Sequence, residues 1–136
     1  MLKIDFTEKR VFGFEGPNLC LLGQPVDFKL LARIILGLTD VVAGKEISIT
    51  ESDFTQISGN ECRVLFASKN HATRFAVIEN GNDIIFELDP RIWERVFIFC
   101  TLLTWDKTTY YLNKNEVGLR DLNLTQDCNN IWASEF

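Results

Sequence analysis

Apolar residues fall in short runs separated by turn formers, and two of those runs are long enough to choose between helix and strand. Ile4-Asp5-Phe6, a Thr7-Glu8-Lys9 turn and Val11-Phe12-Gly13-Phe14 predict an opening hairpin, closed by Gly16-Pro17-Asn18. Leu19 to Leu22 predicts a short strand that stops at Gly23. Residues 25–43 predict one long helix, because Leu31, Ile34, Ile35, Leu38, Val41 and Val42 recur at helical spacing with Lys29 and Arg33 on the other side. Pro25 suits a first helical position, Asp27 the positive end of the macrodipole, and Gly44 a stop. The alternation Phe28, Leu30, Ala32, Ile34, Leu36, Leu38 would also make one face of a strand. Start, stop and length favour the helix.

Glu46 to Thr50 predicts a strand, followed by a polar stretch from Glu51 to Glu61. Cys62–Ala67 and Arg74–Ile78 predict two strands around a Lys69-Asn70-His71 turn, and Asn80-Gly81 predicts a tight hairpin into Asp83–Leu88. Asp89-Pro90 has the form of a helix cap and first turn. The segment after it fits either state: Arg95 to Trp105 has the β-branched and aromatic content of a buried strand, while Ile92, Val96, Cys100 and Leu103 would share a helical face. Thr108 to Asn113 predicts a strand. From Lys114 the chain is polar, with Leu119, Leu122, Leu124, Ile131 and Trp132 as scattered anchors. A strand–turn–proline–apolar segment at 19–38 has a faint echo at 83–103, too weak in the sequence to make a repeat. The pattern predicts an α+β fold in one domain, 1–136: a mainly antiparallel sheet with one long helix (about 25–43) and a second near 90–103 if that segment is helical.

Composition agrees with one globular domain: 136 residues, 46% apolar, 24% charged, 3 prolines and 8 glycines. Charges at positions 3 and 5, with no apolar run behind them, predict a cytoplasmic chain with no export signal and no membrane association. Cys20, Cys62, Cys100 and Cys128 are evenly spread with no CxxC pair, and His71 is the only histidine. That spacing predicts no metal site and no cofactor, and Cys20 and Cys100 as small buried hydrophobes. Phosphate-cradling glycine loops are missing. A Ser–His or Cys–His pair would have to use His71, in a turn. Glu87 with Asp89, and Glu51 with Asp53, are spaced to share a strand face, yet nothing local would shift either pair, and capping already occupies Asp89. The expectation is a protein that is not an enzyme.

Fourteen Lys and Arg against nineteen Asp and Glu give a formal charge of −5, the wrong sign for a nucleic-acid binder. Glu46, Glu51, Asp53 and Glu61 occur with no cation among them, and Glu116, Asp121, Asp127 and Glu135 have only Arg120 between them. Brought together, these stretches would make a negative surface that speeds encounter with a cationic protein. The partner-binding candidates are therefore Glu46, Glu51, Asp53 and Glu61, with Asp121, Asp127 and Trp132 as a second patch.

Gly23-x-Pro25-x-Asp27-Phe28-x-x-Leu31-Ala32, followed by Glu46-Ile47-Ser48-Ile49, resembles the openings of small acidic bacterial immunity proteins. That resemblance implies an inhibitor that neutralises a basic toxin domain, such as a nuclease, by covering its active site. Trp93-x-x-Val96, Leu103-Thr104-Trp105-Asp106 and Tyr111-Leu112-Asn113 are similar to part of laminin-G or concanavalin-like sandwiches. The alternative this implies is an all-β module that binds carbohydrate through Trp93, Trp105 and Tyr111.

Overall fold

The computed structural model describes residues 1–7, 18–40, 44–58, 63–79, 83–105, 109–112 and 122–126. Among them the chain runs β1 (Leu2–Thr7), β2 (Asn18–Gly23), α1 (Pro25–Leu36), β3 (Glu46–Ser48), a 3-10 turn (Ile49–Glu51) and β4 (Thr55–Ser58). It continues through β5 (Val64–Ser68), β6 (Thr73–Glu79), β7 (Asp83–Leu88), α2 (Pro90–Leu102), β8 (Thr109–Leu112) and β9 (Leu122–Gln126). The class is α+β, and the two helices overturn the all-β alternative. Two sheets form, ordered β4-β1-β2-β9-β8 and β3-β5-β7-β6. Both are mixed: β1–β4, β2–β9 and β5–β7 are parallel pairs, and the other four pairs are antiparallel.

Both helices start alike. Each comes one residue after its strand, with proline first in the helix. Buried Asp27 accepts the Gln24 N–H at 2.9 Å, and the Asp89 carboxylate accepts the Arg91 N–H at 2.9 Å. α1 stops well short of residue 43. The Gly37, Leu38 and Thr39 N–H groups donate three residues back, at 3.1, 2.8 and 3.2 Å, and the Thr39 hydroxyl donates to the Leu36 carbonyl at 2.7 Å. Those tightened bonds satisfy the last carbonyls and end the helix. Leu38 is nevertheless fully buried, so the apolar period outlasts the helix by two residues. Val41, Val42 and the expected strand at 11–14 lie outside the described residues. In α2 the open choice falls to helix: Trp93, Val96, Cys100 and Leu103 are all fully buried at helical spacing, and burying such side chains outweighs a β propensity of under about 1 kcal/mol per residue.

The expected β5–β6 hairpin does not form. β7 lies between the two strands, parallel to β5 and antiparallel to β6, so the 69–72 connection crosses its end. The β6–β7 pairing flanking Asn80-Gly81 does form, with Glu79 opposite Asp83.

The faint echo at 19–38 and 83–103 is a structural repeat. β1-β2-α1-β3-β5 in the first half corresponds to β6-β7-α2-β8-β9 in the second, with β4 an addition to the first. Across the sheets, β1-β2-β9-β8 and β6-β7-β5-β3 share one sequence of relations: antiparallel, parallel, antiparallel. Each half therefore builds a hairpin and helix of its own and hands its last two strands to the other half's sheet. Phe28, Leu31, Ile35 and Leu38 occupy the positions of Trp93, Val96, Cys100 and Leu103, and all eight are fully buried. One apolar cluster joins them to Leu2, Ile4, Leu19 and Leu21 of the first sheet and to Val64, Phe66, Ile84, Phe86 and Leu88 of the second.

Candidate functional site

β3 ends the second sheet, and its first residue, Glu46, is exposed. The chain then tightens into the 3-10 turn carrying exposed Glu51. The Thr55 hydroxyl holds that loop by donating to the Ile49 and Ser52 carbonyls at 2.9 and 2.8 Å. Across from it, Arg63 precedes β5 and Asp83 opens β7. The parallel pairing brings them together, since the Ile84 N–H donates to the Arg63 carbonyl at 2.8 Å. The guanidinium then meets the Asp83 carboxylate through Nη2 at 2.7 Å and Nε at 3.3 Å, a fork-on-fork geometry. Asp83 raises the Arg63 pKa above its ordinary value by hydrogen bond and charge, and Glu51 and Glu46 add to the rise. In return the Arg63 hydrogen bond lowers the Asp83 carboxyl below the usual range.

Of the predicted acidic residues, Glu51 and, more weakly, Glu46 act on Arg63 by charge alone; the β3–β5 register sets Glu46 opposite Ala67, further along β5. Asp53 is exposed in the turn before β4 and is not one of the groups acting on Arg63. Glu61, Asp121, Asp127 and Trp132 lie outside the described residues. Sequence reasoning missed Arg63, one residue beyond Cys62, and Asp83, twenty residues further on. Only the β5–β7 register places those two side by side.

Other candidate groups have structural work. The Asp89 carboxylate accepts the His71 N–H at 2.7 Å through Oδ2 as well as the Arg91 N–H through Oδ1. Those two bonds, His71 first, hold its carboxyl below the ordinary range. His71 is exposed, in the left-handed region at φ 64°. Cys20 and Cys100 are buried, and burial pushes the Cys100 thiol well up. Trp93 cannot serve as a sugar platform: it is fully buried, packed on Phe66 with ring centroids 4.7 Å apart, and donates its indole N–H to the Ala67 carbonyl at 2.8 Å. Trp105 is exposed, and of Tyr111 only the backbone place in β8 is described. Among the described residues no three His, Cys, Asp or Glu side chains converge as metal ligands, and no helix is long and apolar enough to cross a membrane. Compared with known protein families, characterised proteins and solved structures, the chain matches none of them.

Proposed function

We propose that this protein is a non-catalytic binding protein of the immunity type, whose acidic edge docks a basic toxin domain and covers its active site. The observation that supports the reading is the exposure of Glu46 and Glu51 beside the Arg63–Asp83 pair, on an edge strand and its adjoining turn. Hydrogen bonds fix the backbone of that turn before a partner arrives, which limits the ordering cost of binding. Arg63 neutralises Asp83 and leaves Glu46 and Glu51 to face outward. Charges of this kind act mostly on the association rate.

The test is co-expression with the product of the adjacent gene in the native host. Wild-type protein restores growth against a toxic product and forms a complex whose association slows as ionic strength rises. The Glu46→Lys/Glu51→Lys variant loses protection and associates more slowly by about tenfold or more. A neighbour that is neither toxic nor bound, or an association rate indifferent to salt and to the charge reversal, refutes the proposal.

A further inference from the structure

α1 and α2 pack against each other and leave an open groove of about 500 Å³, lined by Lys29, Ala32, Arg33 and Leu36 on one side and Phe97, Thr101 and Thr104 on the other. Its floor is apolar. The two hydroxyls spend their protons inside the fold, Thr101 on the Phe97 carbonyl at 3.0 Å and Thr104 on the Thr101 carbonyl at 2.7 Å. Neither hydroxyl proton is left for an occupant, so the side-chain donors lining the groove are the cationic ones.

Among the described residues Lys29 and Arg33 are the only charged ones lining the groove, they stand one helical turn apart, and both are exposed. Neither makes an ion pair with a described residue. Like charges at that spacing disfavour the helix that carries them, and no described carboxylate relieves the pair. In a chain of net charge −5 this is a local excess of positive charge. Exposed apolar side chains also concentrate on the elements that form it. Of the five exposed large hydrophobic side chains among the described residues, Val26, Leu36, Ile98 and Trp105 belong to the two helices or the turn after α2.

The geometry points to this groove as the seat of an acidic amphipathic helix from a partner protein. A third helix fits the hollow between two packed helices by laying its apolar ridge on Ala32, Leu36 and Phe97. Asp or Glu along the flank of that ridge meets Lys29 and Arg33. A concave site suits such a ridge better than a flat lipid surface, and the overall negative charge opposes adhesion to anionic lipid. None of Glu46, Glu51 or Asp53 lines the groove, so this inference stands or falls separately from the acidic edge.

The experiment titrates the full chain into two labelled peptides of about five helical turns, with leucines at i, i+3, i+4 and i+7. One carries Glu on its flanks and the other carries Lys. The Glu peptide binds and weakens with salt, and the Lys peptide does not bind. Lys29→Glu/Arg33→Glu, whose thermal melting should match the wild type because both side chains are exposed, weakens the Glu peptide by about tenfold or more and confers binding of the Lys peptide. Equal binding of both peptides, no binding of the Glu peptide near about 1 mM, or indifference to the charge reversal overturns the inference. So does tighter binding to anionic phospholipid vesicles than to the Glu peptide, or self-association that the same variant abolishes, since each seats a different occupant.

Discussion

Asp89 sits where three parts of the chain meet, and replacing it gives the sharpest test of the fold. Its Oδ1 caps α2 through the Arg91 N–H, its Oδ2 holds the 69–72 crossing through the His71 N–H, and its own N–H donates to the Ala72 carbonyl at 2.8 Å. Asp89→Ala keeps the backbone bond and removes the other two. Loss of an N-cap costs about 0.5–2 kcal/mol. The second bond contributes about 0.5–1 kcal/mol, at the low end because the exposed His71 amide can turn to water. Together the loss is about 1–3 kcal/mol at neutral pH, and Asp89→Asn, which keeps one acceptor oxygen, loses about half of that. The pH dependence has a definite sign. The folded carboxyl is held below its ordinary range, chiefly by the His71 bond and then by Arg91. Its contribution is therefore complete above the unfolded value of about 3.9 and fades as pH falls through the folded value. Urea unfolding of wild type and Asp89→Ala, monitored by circular dichroism at neutral and acid pH, measures it. A difference under about 0.3 kcal/mol at neutral pH, or one that widens on acidification, refutes the reasoning.

Two glycines should respond to alanine with opposite signs. At Gly23 a Cβ would lie 2.9 Å from Leu2 Cδ1 and 3.0 Å from Asp27 Cβ in a buried corner, so Gly23→Ala destabilises by about 1–3 kcal/mol. Gly37 has right-handed helical dihedrals, and the nearest atom to an added Cβ is 3.4 Å away, so Gly37→Ala stabilises by about 0.5–1 kcal/mol. Thermal melting of both variants checks the pair, and equal signs would count against the packing described at β2. Trp93→Phe deletes a buried N–H donor to the Ala67 carbonyl and opens space beside Phe66, for a loss of about 1–3 kcal/mol. Chemical denaturation measures it, and a loss under about 1 kcal/mol would refute the assigned role of the indole.

Local signals in the sequence are reliable where local physics decides. Pro25 and Asp89-Pro90 mark helix starts that the structure contains, and Asn80-Gly81 lies between strands that pair. The features that stay hidden depend on partners far along the chain. Arg95–Trp105 has strand composition, and its helical form comes from Trp93 and Val96 finding a core built by distant strands. β4 is concealed in a polar stretch because it is an edge strand paired only to β1, and β9 in the polar tail because Leu122 and Leu124 alternate too briefly to stand out. The same holds for the site. Glu46 and Glu51 are visible as acids without cations in their own stretch, whereas Arg63 and Asp83 join them only through the β5–β7 register. Lys29 and Arg33 are legible as the polar side of α1, but not the Phe97 and Thr101 that face them across the groove.

The exchange of strands between halves has a consequence for how the chain reaches this state. During synthesis β2 emerges well before its parallel neighbour β9. Until then β2 offers an unpaired edge, and β5 waits for β7. Closure of the first sheet thus joins residues about a hundred positions apart, as Leu19 with Leu122, the kind of long-separation pairing that slows folding and rewards protection of the nascent chain. Once closed, neither half can open without dismantling a strand pair in the other's sheet, so the molecule should come apart as a unit.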